Sequence, residues 1–506
     1  MADDWGRAPD GRQREGSAHQ RHPNLFEPTT PDHHLFIAER GLADTKPDAS
    51  CSSGLTCAQI RLARQAFTVL ALAALITPQL LFQFRALLSW GIFAAVIALR
   101  SVLALVGAVA HTGGRLHDGL DAQSGLKRQI WPTYTVLAAI YREPVAVKDL
   151  VASLKGLDYP KRQLDVILLL EEGDEATLDA LQVIAVPSNF RIICVPPGEI
   201  QTKPRALNYG LQFAQGQYVC VYDAEDRIRS DQIKAAVRAF QRDRESRFAQ
   251  PLACLQSPLV PHNGNESWIS GQFALEYSVQ FGLIVPGLTL LDLPVPLGGT
   301  SNHFDRKLLE AVGGWDPYNV TEDADIGFRL AQEGYRVKCI IPPTYEEAPV
   351  SIPAWVRQRS RWIKGFLQTL GVVLRNPQMS IERMGGFRFG CSVLTLGGSV
   401  LSALAYAPLT VYLFVSIVLP GLEVPESALW LMAAGMLSHL VASFLSHGIW
   451  RPGGLVATVT APLYWPLHTW AAARAIQSLI TQPFYWEKTE HGLSRDTLAP
   501  EFLKVV

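Results

Sequence analysis

Apolar and polar positions divide the chain into distinct stretches. Residues 1 to about 58 are polar and aperiodic, rich in Asp, Arg, His, Pro and Ser. Such a stretch buries too little apolar surface to order itself, which predicts a disordered cytosolic tail. From Ala66 to Phe84 no charged residue occurs, and after Arg85 a second run extends from Ala86 to Ala110, interrupted by Arg100. At about 1.5 Å per residue each run matches the hydrocarbon core of a bilayer, so the pattern predicts a transmembrane hairpin over 59–112 with Arg85 near its turn. The first run starts too late for a cleaved signal peptide. Arg100 should snorkel or face protein. The basic flanks Arg61, Arg64, Arg115, Lys127 and Arg128 put the hairpin's ends on the cytoplasmic side.

Between 130 and 350 the pattern changes. Near-continuous apolar runs at 134–140, 164–170, 190–195 and 218–222 alternate with helical periodicity at 145–157, 175–185 and 206–214. Strands buried on both faces and separated by helices predict an α/β domain with a mostly parallel sheet. Ligands bind at the carboxyl ends of such strands. There the sequence places Glu143, Glu171, Glu172, Asp174, Asp223, Glu225 and Asp226. Residues 351–388 open with SIPAWVRQRSRWIKGFLQTL, amphipathic, basic and aromatic, which reads as an interfacial helix. Apolar segments then return over 389–482 as about three spans, the last containing Pro462 and Pro466 as candidate breaks, followed by a tail over 483–506.

Composition narrows the partners. The net charge of -1 offers no basic face for nucleic acid. Seven cysteines without a CxxC pair indicate neither a zinc site nor a disulfide framework.

Four short stretches carry candidate chemistry. In Gly313–Asp325, GGWDPYNVTEDAD, a glycine turn leads to Thr321 as a helix N-cap, with Glu322 and Asp323 in the first turn of a helix of about two turns. Alone, that is an ordinary acidic helix start. Asp223 and Glu225, at i and i+2 on an extended segment, point to one side and can grip a hard divalent cation. Lys203-Pro-Arg-Ala-Leu-Asn208 sets two cations and an amide before a helix, suited to a diphosphate or to a solvated loop. In QRSRW, Gln358, Arg361 and Trp362 share one helix face, an Arg for a diphosphate and a Trp for a sugar ring.

Taken together, Tyr141-Arg-Glu-Pro144, DAED at 223–226, TED at 321–323 and QRSRW at 358–362 resemble the processive membrane glycosyltransferases of family 2. That group comprises the cellulose, chitin, hyaluronan, mannan and poly-N-acetylglucosamine synthases. The resemblance covers about residues 60–480. It implies a GT-A-type nucleotide-sugar-binding domain flanked by transmembrane α-helices. By position it implies that Tyr141 and Glu143, with Glu172 or Asp174, hold the nucleoside. Lys203, Asp223, Gln358 and Arg361 would meet the rest of the donor, with Asp223 and Glu225 on Mg2+ or Mn2+. Asp323 would be the catalytic base, and Trp362, Glu322, Thr300 and Ser301 would face the acceptor. The Leu297–Asn302 loop departs from the cellulose-synthase form, so the sugar stays open.

The implied activity is inverting transfer from a nucleotide-sugar, UDP-glucose or UDP-N-acetylglucosamine, onto a growing β-linked polysaccharide at the cytoplasmic membrane, with coupled export. Expected partners are the donor, the glycan, the bilayer and an accessory membrane or periplasmic subunit, with no nucleic acid. The alternatives are transfer of one sugar to a lipid-linked acceptor, and a catalytically silent transporter or scaffold.

Overall fold

The computed structural model describes residues 31–76, 78–112, 130–246, 248, 250–419 and 424–487. Expectations for residues 1–30, for Arg115, Lys127 and Arg128, for the side chain of Arg85 and for the tail beyond 487 lie outside the described residues.

The polar N-terminal stretch is ordered from Pro31, contrary to its composition. Helix α1 (Pro31–Thr45) buries Ala38 and Leu42 and half-buries Leu35, an apolar stripe too short to stand out among its polar neighbours. Helices α2 (Cys57–Ile76) and α3 (Pro78–Thr112) follow. The break falls just before Pro78 rather than at Arg85, because proline fits the first turn of a helix and disrupts its interior.

The α/β domain begins with β1 (Tyr134–Ile140), α4 (Ala146–Lys155), β2 (Leu164–Glu171), α5 (Glu175–Gln182), β3 (Phe190–Val195), α6 (Lys203–Leu211) and β4 (Tyr218–Tyr222). It continues through β5 (Arg227–Ile228), α7 (Gln232–Glu245), β6 (Leu252–Gln256), β7 (Leu259–Pro261), α8 (Trp268–Val279) and α9 (Val285–Leu290). β8 (Asn302–Asp305), α10 (Arg306–Ala311), α11 (Glu322–Gln332), β9 (Arg336–Cys339) and β10 (Thr344–Glu346) complete it. The main sheet runs β3-β2-β1-β4-β8-β6-β9, and a small one runs β5-β10-β7. β1 to β4 are parallel, as the apolar runs predict, whereas β8 is antiparallel to both its neighbours. That reversal matters for the site. Val221 pairs with Asn302, so the loop entering β8 meets the carboxyl end of β4 at one edge.

Past the sheet come α12 (Ile352–Val373), α13 (Pro377–Met384), α14 (Gly386–Val418), α15 (Glu426–Leu445) and α16 (Gly454–Thr481). α16 continues through Pro462 and Pro466 without the candidate break. Among the described residues four helical stretches are long and apolar enough to cross a membrane: Trp90–Ala110, Trp268–Leu290, Gly386–Val418 and Glu426–Leu445. The chain is a membrane protein on that basis. The second stretch is mostly buried inside the protein, and its Glu276 and glutamines hid it within the soluble texture. It packs tightly on α3: a Cβ on Gly107 would lie 2.1 Å from the Leu283 carbonyl oxygen, and one on Gly287 2.3 Å from that of Leu103. Only glycine permits so close a backbone approach.

Arg205 belongs to this framework and not to a ligand. It is fully buried, pairs with Glu171 and with Glu39 of α1 (3.5 Å), and donates to the Pro196 carbonyl at 2.8 Å. Arg205→Met would leave two buried carboxylates without their cation, and breaking such a pair costs about 3–5 kcal/mol. The expected outcome is a clear fall in the melting temperature of the detergent-solubilised protein; an unchanged one would refute the structural role.

Candidate active site

A cavity of about 1550 Å³ opens at the carboxyl edge of the sheet and runs on between α3, α14, α15 and α16. Its polar end is lined by Tyr141, Glu143, Lys203, Asp223, Glu225, Thr300, Glu322 and Asp323, together with Gln358, Arg361 and Trp362. Its far end is lined by Phe93, Ile97, Leu431, Met432 and Met436, among others.

Asp223–Asp226 forms a turn and not the expected extended segment, the Asp226 N–H donating to the Asp223 carbonyl at 3.2 Å. Asp223 and Glu225 nonetheless both line the cavity. Asp226 is turned inward, where one carboxylate oxygen accepts from the Asp223 N–H (2.7 Å) and from the Thr300 hydroxyl while the other has no partner. Asp226 therefore fastens the turn to the loop before β8. Burial first, then the charges of Asp223 and Glu225, push its carboxyl well up. Lys203 starts α6, forms an ion pair with Asp223 and donates to the Gly299 carbonyl at 2.6 Å. Burial alone would depress its ammonium; Asp223, Glu322 and Asp323 outweigh that and hold it protonated.

Opposite stands the start of α11, three turns long and not two. Thr321 is its N-cap residue, but its side chain makes no capping bond. Asp323 accepts from the Ala324 N–H at 2.8 Å, and a Cβ on Gly299 would lie 3.3 Å from its free oxygen. Burial raises the Asp323 carboxyl against the pull of that N–H, Lys203 and Arg361. Glu322 is pushed up to about 7, by burial first and the charge of Asp323 second. Asp325 faces away and pairs with Arg329 at 2.7 Å.

The QRSRW face lies on α12, which packs closely on the TED segment. A Cβ on Gly365 would come within 2.0 Å of the Thr321 hydroxyl. Arg361 reaches the Val320 carbonyl at 3.4 Å, lies 5.2 Å from the Trp486 ring, and keeps a buried Nε without a partner. Trp362 is held between the Arg359 guanidinium (4.6 Å) and the rings of Phe273 and Tyr277 (6.0 and 6.1 Å).

Three predicted residues do not line the cavity. Asp174 caps α5 through the Thr177 N–H and accepts from the Arg142 N–H, which uses both its oxygens. Glu172 is exposed beyond the end of β2, leaving Glu171 as the carboxylate of that stretch at the cavity. Ser301 is buried behind the loop and hydrogen-bonds Thr344. Asn208 likewise serves the fold, exchanging hydrogen bonds with both backbone groups of Trp315 (2.7 and 2.9 Å) and so holding the turn that begins at Gly313.

The structure adds Glu346 and Trp486. Glu346, at the end of β10, lines the cavity and is pushed up to about 8, chiefly by burial and then by Glu225 and Asp223. No local signal marks it, since its β10 partners come from remote parts of the chain. Trp486 also lines the cavity, and its place in the aromatic run Phe484-Tyr-Trp486 is the local signal that could have marked it.

Among the described residues no three His, Cys, Asp or Glu side chains are clustered as a ready-made metal site. Two cavity-facing carboxylates, crowded enough to raise Glu346, still fit a hard cation that takes its remaining ligands from phosphate and water.

This combination of parallel sheet, reversed β8 and carboxylate edge belongs to the GT-A glycosyltransferase fold. The chain is a member of the family described as Glycosyl transferase family group 2, matched over residues 218–473, and residues 135–268 match Glycosyl transferase family 2. It is similar to the β-monoglucosyldiacylglycerol synthase of Trichormus variabilis, 26% identical over 57% of this chain and 60% of the relative. It is also similar to the poly-β-1,6-N-acetyl-D-glucosamine synthase of Staphylococcus aureus, 26% identical over 47% and 55%. The matched part thus spans less than two thirds of these relatives. Mannosyltransferase PcManGT from Pyrobaculum calidifontis, solved with GDP-Man and Mn2+, aligns over 76% of this chain and 99% of its own, with 17% identity and a TM-score of 0.46.

Because α12 and α11 meet at Gly365, Gly365→Ala should separate Arg361 and Trp362 from the TED residues. About a 10- to 100-fold loss of sugar transfer is expected from displacement on the ångström scale. Wild-type turnover by this variant would contradict the close contact.

Proposed function

We propose that the chain is an inverting, metal-dependent glycosyltransferase that extends a β-linked glycan from a UDP-sugar, glucose or N-acetylglucosamine. The observation that carries this reading is the meeting of Asp223, Lys203, Asp323, Arg361 and Trp362 around one cavity, although they come from four separate parts of the chain. The two named relatives carry the same two sugars in their names.

In this mechanism Tyr141 and Glu143, in the loop between β1 and α4, hold the nucleoside. Lys203 and Arg361 receive the diphosphate and offset the charge that develops on it as the glycosidic bond breaks. Asp223 and Glu225 would hold Mg2+ or Mn2+, which would supply further neutralisation of the leaving nucleotide. Trp362 supports the acceptor ring. Asp323 takes the proton of the attacking hydroxyl as the new bond forms. A single displacement inverts the anomeric centre, so an α-linked donor yields a β linkage. Thr300 orders the turn through Asp226, and Glu322 tunes the charge beside Asp323.

A second reading, transfer of a single sugar to a lipid-linked acceptor, is favoured by the apolar far end of the cavity. Product length from radiolabelled donor separates the two.

Asp323→Asn should abolish transfer while leaving UDP affinity within about 2-fold, a proton acceptor being worth about 10²- to 10⁴-fold. Loss of UDP binding as well would remove Asp323 from the role of base.

Burial first of all raises the carboxyls of Glu322 and Asp323, which are therefore protonated below their raised pKa values and basic above them. Transfer should therefore fall as pH drops below about 7, as the Glu322–Asp323 pair takes up protons and the base on Asp323 is lost. Glu322→Gln removes the neighbouring charge and should move that limb to lower pH, since the interaction within the pair is mutual. A flat profile between pH 5 and 8 would contradict this. Chelation with EDTA should stop transfer and Mg2+ or Mn2+ restore it.

A further inference from the structure

We propose that Arg359, the second residue of QRSRW, is a positioning residue that fixes the ring of Trp362 for the acceptor, through an ion pair with Glu276 in the buried apolar helix. This rests on the reading of Trp362 as the acceptor platform.

The geometry is specific. Arg359 donates two hydrogen bonds to the two carboxylate oxygens of Glu276, at 2.9 and 2.6 Å. Tyr464 of α16 donates to the same carboxylate at 2.8 Å, and the Trp355 ring N–H donates to the Tyr464 oxygen at 3.0 Å. Three elements, α8, α12 and α16, thus lock one guanidinium. Its plane lies between two indoles on its own helix, 5.2 Å from the Trp355 ring and 4.6 Å from the Trp362 ring. Trp355, Arg359 and Trp362 fall at i, i+4 and i+7, one stripe of α12. A desolvated guanidinium over an indole face is held there by the ring's electron-rich face. Phe273, about one turn before the carboxylate on α8, and Tyr277, the residue after it, lie against Trp362.

Stability alone is a poor account of the pair. An apolar pair of the same size stabilises an interior about as well. A carboxylate is costly in a helix as apolar as Trp268–Leu290, and such groups mark functional geometry. Both side chains line the cavity.

The test uses the full chain in membranes, supplied in turn with radiolabelled UDP-glucose and UDP-N-acetylglucosamine. UDP affinity, donor hydrolysis to free sugar, transfer to product and melting temperature are measured. In Arg359→Met, transfer should fall about 10- to 100-fold, while UDP affinity and hydrolysis stay within about 2-fold. In the charge-exchanged variant Glu276→Arg/Arg359→Glu, the pair and the melting temperature return but transfer stays low, because the cation no longer lies on the α12 stripe. Arg359→Lys, with a point charge and no fork, should recover transfer in part. Restored transfer in the exchanged variant, or a parallel loss of hydrolysis and transfer in Arg359→Met, overturns the positioning role. Unchanged transfer in Arg359→Met overturns it too. If the wild-type chain binds UDP but transfers neither sugar, the functional reading itself fails.

Discussion

An excess of carboxylates around one ammonium governs this molecule. Lys203 stands against Asp223 with Glu322 and Asp323 close by, and Glu225 and Glu346 complete the acidic wall. Even with Arg361, the cations beside these five acids are outnumbered. Burial first, and then this crowding of charge, push Glu322 up to about 7 and Glu346 up to about 8. Holding such a cluster together demands a rigid frame, and the frame is visible. Asp226 ties the turn after β4 to Thr300, Arg205 binds β2 to α1, and Gly365 lets α12 press on Thr321. The edge is therefore preorganised for positive charge and for a ligand that brings or requires it.

Helix α12 connects this edge to the membrane-crossing helices. Its expected role was that of a surface helix at the membrane interface, yet Trp355, Ser360, Ile363, Lys364 and Thr369 along it are buried. It carries Gln358, Arg361 and Trp362 toward the polar end of the cavity and Arg359 toward Glu276 and Tyr464. Polar chemistry and apolar helices thus share a single chamber. Its walls change character along its length, from Asp323 to Met432.

Much of this was legible in the chain. The four apolar runs became β1 to β4 almost residue for residue, because strands covered on both faces are continuously apolar and stand out against the helical periodicity between them. The i, i+3, i+4 spacing of Gln358, Arg361 and Trp362 fixed their common face for the same geometric reason. Where local rules failed, a distant partner had taken over. α1 orders because the domain surface receives Leu35, Ala38 and Leu42. Arg205 and Asn208, which local sequence suits to a diphosphate or to a solvated loop, instead hold Glu171 and Trp315.

By itself, then, the sequence determined the strand periodicity, the membrane texture and the types of residue available for chemistry, since these depend on spacing and side-chain character alone. Tertiary structure decided which acids face the cavity. Asp223, Glu225 and Asp323 do, whereas Asp174 and Asp325 are consumed by a helix cap and an ion pair. It also brought Glu346 and Glu276 to the chamber from strands and helices with no local mark. The reason is that hydrogen-bond partners and burial are properties of the assembled neighbourhood, and a carboxylate's role follows from the groups that neighbourhood sets around it.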